Sequence, residues 1–192
     1  MTPAETEPLR KRPLRADAQR NYDKLLAAAR AAFKERDQEA SLEEIARRAQ
    51  VGIGTLYRHF PTRQALIEAV YVDEVEAISA ATANYAELEP WQALSGWLRE
   101  YVSFAATKRA LSEAMLEADR DAEVFKRCRV ALREAGQRLL TRAQEAGEVR
   151  PDTTFADVGR LVGGVAMVGG DDEQRERVLA LALDGLRYRS AG

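Results

Sequence analysis

Apolar residues recur at the spacing of an α-helix along almost the whole chain. In residues 17–36 they fall on one helical face: Tyr22, Leu25, Leu26, Ala29, Ala32 and Phe33. The same spacing of three and four positions returns in residues 42–49 and again, over two turns, from Ile53 to Phe60. Because apolar residues that repeat about every 3.6 positions bury one side of a helix, the pattern predicts an all-α fold.

Polar residues mark the ends of these helices. Ser41 lies directly before residues 42–49, and Glu44 follows three positions later, a spacing that predicts a capping box. Pro61 ends the next helix, and Thr62 can cap the one after it. Two such short helices bury little surface alone, so we expect them to pack on the long helix before them. Three helices in this order predict a helix-turn-helix unit.

The segment GIGTLYRHFPTRQAL at 52–66 divides into two faces. Its helical spacing predicts four apolar residues toward the core: Ile53, Leu56, Tyr57 and Phe60. The other face presents small and polar residues: Gly54, Thr55, Arg58 and His59. A face without bulky apolar residues that carries hydroxyl, guanidinium and imidazole donors suits the major groove of double-stranded DNA. Arg63, at the start of the following helix, can reach the same strand.

Charge is distributed unevenly along the chain. The formal net charge of −2 by itself argues against a nucleic-acid partner. However, residues 8–63 hold thirteen Lys and Arg against seven Asp and Glu, whereas residues 64–192 hold sixteen against twenty-two. A basic N-terminal third on an acidic body favours contact with a polyanion at one end. Residues 1–16 form a basic arm in which Arg15 is the residue that we expect to bind DNA, the alternative being a solvated tail.

Composition limits the class of protein. With 46% apolar and 31% charged residues, the chain of 192 residues has the balance of a globular protein. It has no run of eighteen apolar residues and no apolar leader, so we expect no membrane span and no secretion. A lone cysteine, Cys128, suits a reducing compartment. These features together predict a cytoplasmic protein.

Two other functions compete with a specific DNA-binding protein. A small all-α enzyme would need a nucleophile–base pair, a metal cluster or a phosphate-binding loop, and the sequence offers none of them. His59 is the single histidine and has no Cys, Asp or Glu at ligand spacing, so we predict neither a metal site nor a cofactor. A non-specific nucleoid-type DNA binder is the second alternative, and the acidic body makes it the weaker one.

The stretch SLEEIARRAQVGIGTLYRHFPTRQALIEAVY resembles the DNA-binding domain of the TetR family of bacterial transcriptional regulators. The resemblance covers about residues 17–72 and rests on the Thr-Leu-Tyr-x-x-Phe core of the third helix, followed by a polar cap and a basic residue. It implies an all-α homodimer whose N-terminal helix-turn-helix domains bind a palindromic operator. It also implies that the C-terminal domain, residues 73–192, binds a small effector and dimerises, and that the usual member is a repressor released by this effector.

The resemblance also implies roles for individual residues. By position, Thr55 and Arg58 lie where family members contact bases or backbone. Phosphate contacts are usual at Tyr57, His59 and Arg63. For Tyr57 this is compatible with a ring on the core face, because its hydroxyl can emerge at the edge.

The chain departs from the family pattern at two positions where glycine is usual. One is Gln50, in the turn before the third helix, at a position that is often in the left-handed region; a residue with a side chain costs on the order of 1–2 kcal/mol there. The other is Asp37, and aspartate is one of the few residues that tolerate a positive φ. The exact turn geometry is therefore not carried over.

Residues 73–192 indicate a larger helical domain with its own core. Its aromatic and large apolar residues include five that can line a cavity between helices: Trp97, Tyr101, Phe104, Met115 and Phe125. Since few polar residues share that face, we expect a small, largely apolar effector. The alternative is that these side chains are ordinary core.

The last two helical stretches carry long apolar stripes and glycines that allow close helix packing, at 159, 163 and 164. Two such helices exceed what one small domain needs, and so they predict a homodimer interface. The residues that we expect in it are Leu161, Val165, Val168, Val178 and Leu181. The alternative is that both helices complete the core of the monomer.

Overall fold

The computed structural model describes residues 16–35, 41–114, 123–168 and 171–187, with side chains throughout except at 34, 106–114 and 172. Within these ranges the helices are α1 (Ala16–Lys34), α2 (Leu42–Ala49), α3 (Ile53–His59), α4 (Arg63–Ala80), a 3-10 helix (Ala81–Tyr85), α5 (Pro90–Ala114), α6 (Glu123–Glu145), α7 (Phe155–Ala166) and α8 (Asp172–Leu186). The predicted all-α fold is confirmed. None of the helices described is both long enough and apolar enough to cross a membrane.

The chain divides into two compact units. The first comprises Met1–Asp73 and Ala110–Cys128, and the second comprises Glu74–Arg109 and Arg129–Gly192. The first unit therefore includes the segment Ala110–Cys128, which the sequence-based division after residue 72 assigns to the second domain.

The core of the first unit forms where α1, α2 and α3 pack against one another. Its fully buried side chains are large and apolar and come from four helices: Leu25, Phe33, Ile45, Leu56, Leu66, Ile67 and Val70. An ion pair between Arg30 of α1 and Asp73 of α4 ties the long helices together at the edge of this core. The two short helices are thus held by apolar burial and not by their own hydrogen bonds, as their length requires.

Side-chain caps begin α2 and α4 at the predicted residues. The hydroxyl of Ser41 accepts a hydrogen bond from the backbone N–H of Glu44 at 3.1 Å, and that of Thr62 accepts one from Ala65 at 3.1 Å. The predicted capping box at Ser41 is only half formed. The Glu44 carboxylate turns instead to the guanidinium groups of Arg47 and Arg48, at 2.7–2.9 Å.

The Glu44 carboxylate lies between the guanidinium groups of Arg47 and Arg48, which stabilise its ionised form. Hydrogen bonds from Arg47 and then Arg48 lower the pKa of Glu44 to about 2. Arg48 also bonds to Glu35, just beyond the end of α1, at 2.8 Å. Both arginines of α2 are therefore paired with acidic groups inside the first unit.

The turn between α2 and α3 has the left-handed conformation that the family pattern suggests. Gln50 has φ 55° and ψ 40°, and no other residue with a side chain has a positive φ in the part of the chain that is described. The backbone N–H of Gln50 bonds to the carbonyl of Arg47, and that of Val51 bonds to the carbonyl of Ala46. These two bonds end α2 in the way that a glycine commonly does.

The core of the second unit centres on Trp97. Its indole is fully buried, and the ring N–H donates a hydrogen bond to the carbonyl of Ile78 at 2.8 Å. Phe155 packs against it, with ring centroids 6.1 Å apart. Gly136 of α6 makes this packing possible, because a Cβ there would lie 2.1 Å from the Phe155 ring and 2.9 Å from Trp97.

The left-handed conformation of Gln50 predicts a gain in stability when this residue is replaced by glycine. We expect Gln50→Gly to raise the free energy of unfolding by about 0.5–1 kcal/mol, because relief of the left-handed strain exceeds the added entropy of the unfolded chain. Gln50→Ala is the matched control, since it also removes the amide but keeps the Cβ. Urea unfolding at one fixed protein concentration compares the two. A glycine variant less stable than the alanine variant would contradict this expectation.

Candidate nucleic-acid interface

Two buried side chains hold α3 in place. Leu56 and Phe60 lie one turn apart and are almost completely buried. The ring of Phe60 packs on Tyr22 of α1, with centroids 5.1 Å apart. Both residues face the core as the sequence predicts, and together they set which residues of α3 face outward.

The predicted core face of α3 is wrong at Ile53 and Tyr57, which are 39% and 44% exposed. Tyr57 lies about 100° around the helix from Leu56, so the core that covers Leu56 leaves Tyr57 at the edge. Ile53 is the first residue of α3 and lies about one turn before Leu56, so it extends past the part of the helix that the core covers. The periodicity predicts which face of α3 is apolar. It does not predict how much of that face the neighbouring helices bury, and on so short a helix they bury only part of it.

The outward side of α3 combines bare backbone with one cation. Gly54 and Arg58 are exposed, and Thr55 is half-buried beside them. A Cβ built on Gly52 or Gly54 would meet no atom of the described residues within 4 Å, so packing among these residues does not require either glycine. Arg58 forms no ion pair with any residue that the structure describes, in contrast to the paired arginines of α2. The cation of α3 therefore remains available to an external anion.

His59 is half-buried against aromatic rings. Its imidazole makes an edge contact with Tyr22, with centroids 5.8 Å apart, and lies 6.1 Å from the ring of Phe60. Burial, together with the neighbouring charge of Arg58, lowers the pKa of His59 below its ordinary value of 6.5. The imidazole is accordingly neutral at pH 7, so it can offer a hydrogen bond but adds no positive charge to this surface.

The hydroxyl of Tyr57 donates a hydrogen bond to the Glu43 carboxylate of α2 at 3.3 Å. The nearby negative charge of Glu43, followed by burial, raises the pKa of Tyr57, while its own backbone amide and Ser41 help to lower the pKa of Glu43. At neutral pH the phenol is thus protonated and the carboxylate is ionised. The pair fixes the exposed ring of Tyr57 at the edge of α3.

Arg63 begins α4 and is half-buried. Its guanidinium lies over the ring of Phe33, 5.5 Å from the centroid, an arrangement that attracts a cation to an aromatic face. This contact holds the arginine against α1. Arg15, the predicted contact of the basic arm, and Asp37 lie outside the described residues.

Three of the predicted effector residues come together in the second unit. Trp97 stacks on Tyr101 at 5.2 Å between centroids, and Tyr101 stacks on Phe104 at 5.9 Å. Phe155, which sequence reasoning did not include, lies 6.3 Å from Tyr101. Phe125 does not join them, because it belongs to the first unit and packs on Tyr71.

The fifth predicted effector residue, Met115, lies outside the described residues. A groove of about 570 Å³ runs elsewhere, along the polar side of α6 from Arg133 to Glu145. Its polar lining differs from the apolar cavity that the sequence predicts, and the effector pocket stays a prediction.

The predicted dimer residues divide by exposure. Leu181 of α8 is 73% exposed and Leu161 of α7 is also exposed, while Val168 and Val178 are half-buried. Val165 is a correction to the predicted set. It is only 4% exposed in the single chain, because its side of α7 faces the core. Met167, an exposed residue just after α7, was missed by the sequence analysis although it continues the same apolar stretch.

Comparison with known proteins gives matches over both parts of the chain. The family described as bacterial regulatory proteins, tetR family, matches residues 25–70, and the family described as transcriptional regulator SbtR-like, C-terminal domain, matches residues 89–188. The HTH-type transcriptional regulator UidR of Escherichia coli (strain K12) is 30% identical over 93% of this chain and 95% of its own length.

Solved structures give the same result. The TetR transcriptional regulator SCO0520 from Streptomyces coelicolor is 38% identical with a TM-score of 0.77, covering 88% of this chain and 99% of its own. The TetR transcription regulatory protein from Mycobacterium vanbaalenii is 37% identical with a TM-score of 0.74, covering 92% and 100%. The chain therefore belongs to the TetR family and is a DNA-binding transcriptional regulator.

Proposed function

We propose that this regulator is a homodimeric repressor that binds a palindromic operator through α3 of each copy and is released by a small, largely apolar effector. The observation that carries the DNA-binding part is the outward side of α3. Arg58 and Gly54 are exposed there while Leu56 and Phe60 anchor the same helix in the core. A rigidly held helix with an exposed donor is what reading base edges in the major groove requires.

The residues of this surface take different roles in the proposal. The guanidinium of Arg58 forms no ion pair with a described residue, and it can bond in bidentate fashion to the O6 and N7 atoms of guanine. Thr55 offers a hydroxyl beside the bare backbone of Gly54. His59 is neutral and Arg63 is held over Phe33, so both suit phosphate contacts at the edge of the groove.

Twofold symmetry gives the operator its form. Two copies related by a dyad present two α3 helices in opposite directions, so the bound sequence repeats as an inverted pair of half-sites. For a helix-turn-helix dimer the half-site centres lie about 34–36 Å apart, or at a multiple of that distance.

Selection of bound sequences from random duplex DNA, followed by binding of Arg58→Ala, tests the DNA-binding proposal. We expect selection to yield a palindrome and Arg58→Ala to lose about 1–3 kcal/mol of binding free energy with relaxed preference at one base pair of each half-site. Arg138→Ala is the matched control, because it removes the same charge from an exposed site in the second unit.

Binding is compared at several salt concentrations on the selected duplex and on a scrambled one. A uniform loss on both duplexes, with a salt slope flatter by about one, would assign Arg58 to phosphate instead of a base. If Arg58→Ala binds as the wild type does, α3 does not read DNA through this residue.

Exposed apolar residues and unneeded glycines support dimerisation through α7 and α8. Leu161 and Leu181 are exposed, and a Cβ added at Gly163, Gly164 or Gly185 would meet nothing within 4 Å. Glycine inside a helix costs about 1 kcal/mol relative to alanine. Packing among the described residues does not require these glycines. Close packing of a second copy against α7 and α8 would explain why they are present.

A charge placed on the exposed side of α8 tests this interface. We expect Leu181→Glu to give a folded monomer with weakened operator binding, because a carboxylate in an apolar interface is desolvated without a partner. Leu88→Glu, at an exposed leucine outside α7 and α8, is the control and should remain dimeric. Sedimentation gives the mass and circular dichroism reports the fold. A Leu181→Glu protein that stays dimeric at low micromolar concentration would refute the placement.

The ring cluster of the second unit supports a largely apolar effector. Trp97, Tyr101 and Phe104 contribute three stacked rings, and burial raises the pKa of the Tyr101 phenol. That hydroxyl forms no hydrogen bond with a described residue, and a Cβ built on Gly159 of α7 would lie 3.8 Å from it. An apolar ligand with one polar group would satisfy this hydroxyl. Because the rings are in contact, the proposal requires them to separate when the ligand enters.

Xenon under pressure is a suitable probe, since it enters apolar cavities without needing hydrogen bonds. If the rings separate as the proposal requires, crystals of the free protein under xenon pressure will bind xenon against Trp97 and Tyr101. A Tyr101→Ala variant enlarges the space, so it should bind more xenon and still bind the operator. Absence of xenon beside these rings in crystals of both the free and the DNA-bound protein would contradict an effector site at this position.

A further inference from the structure

Ile53 is an apolar residue for which the fold offers no complete burial. It is the first residue of α3 and is 39% exposed, although its spacing predicts a place in the core. A β-branched apolar side chain at such a position loses hydrophobic stabilisation, and it is not a preferred helix former. Local structure therefore does not account for isoleucine here.

Both neighbours of Ile53 are glycines in open space. A Cβ built on Gly52 or Gly54 would meet no atom within 4 Å. Ile53 consequently lies between two stretches of bare backbone at the N-terminal end of α3, one turn before the exposed Tyr57. Because both flanking residues are glycines, neither adjacent position has a side chain that would keep another surface away from the exposed part of Ile53.

We propose that Ile53 recognises the C5-methyl group of a thymine in each half-site of the operator. The inference rests on the proposed function, in which α3 lies in the major groove. Among the four bases, only thymine presents an apolar group on the major-groove edge. Contact between this methyl group and Ile53 removes both from water, whereas a cytosine amino group or a guanine oxygen placed there would lose a hydrogen bond to water without replacement. Ile53 thus adds apolar specificity to the polar reading by Arg58.

The chemistry of the contact gives a clean probe, because deoxyuridine differs from thymidine only by this methyl group. Each thymine of the selected operator is replaced by deoxyuridine, one symmetric pair at a time, and binding is measured. For wild-type protein we expect one pair of positions at which the replacement weakens binding about fifteenfold, or about fourfold when only one half-site is changed, from the burial of one methyl group.

Variants of Ile53 then assign the effect to this residue. Ile53→Ala should bind thymine and uracil duplexes equally at that pair of positions, while Ile53→Val should keep part of the discrimination. Alanine favours a helix, and thermal unfolding followed by circular dichroism checks that α3 and the core survive. Leu88→Ala is the matched control: this leucine is 40% exposed in the second unit, and its loss should leave the discrimination unchanged.

The outcomes separate the inference from the proposed function. If wild-type protein does not prefer the selected duplex to a scrambled one, specific operator binding fails and the role of Ile53 fails with it. If it prefers the operator but no uracil replacement weakens binding, or if Ile53→Ala keeps the wild-type ratio, the inference alone is overturned. Equal weakening of Ile53→Ala on thymine, uracil and scrambled duplexes would assign the side chain to the sugar–phosphate backbone and would also overturn it.

Discussion

The burial of Leu56 and Phe60 is the contact on which the proposed DNA-binding surface depends. A helix of seven residues is not stable by itself in water, because too few hydrogen bonds offset the cost of forming its first turn. These two side chains supply what the helix lacks by packing against α1 and α2. They also fix its rotation, since only one orientation places both in the core. The exposure of Gly54 and Arg58 follows from that orientation.

Ion pairs within the first unit decide which cations are available to DNA. The excess of basic residues in positions 8–63 suggests a broadly cationic surface, but Glu44 and Glu35 pair with the arginines of α2, and His59 is neutral at pH 7. On α3, Arg58 is charged and forms no ion pair within the part of the chain that the structure describes. A nucleoid-type binder gains its affinity from many phosphate contacts. Most of the described arginines of this unit are paired with a carboxylate or lie against an aromatic ring. Such a surface is better suited to a few well-placed contacts with DNA than to non-specific attraction of the phosphate backbone.

Sequence reasoning succeeded where one local rule decides the result. The hydroxyls of Ser41 and Thr62 begin helices because their spacing from the first turn is a short-range property. The left-handed conformation of Gln50 agrees with the family pattern, although the turn geometry itself was not predicted. Sequence reasoning failed where the answer depends on what lies across the core. Glu44 prefers two nearby guanidinium groups to the backbone N–H that a capping box offers, and Val165 faces its own core because of the way α7 packs. Periodicity identifies an apolar stripe, but it does not say whether that stripe is covered by the same chain or by a second one.

On α3, the residues that the fold requires and the residues exposed at its N-terminal end occupy different positions. Loss of Leu56 or Phe60 would remove the helix along with its surface, so these positions have little freedom to change. Gly52 and Gly54 are exposed and Ile53 is partly exposed, and no atom of the described residues would meet a Cβ added to either glycine within 4 Å. Glycine and exposed isoleucine each carry a cost in stability, which a protein tolerates where function requires it. The burial of two residues already holds the helix in place. In the proposed function, the side chains at its exposed end can therefore select which DNA sequence is bound without also having to stabilise the fold.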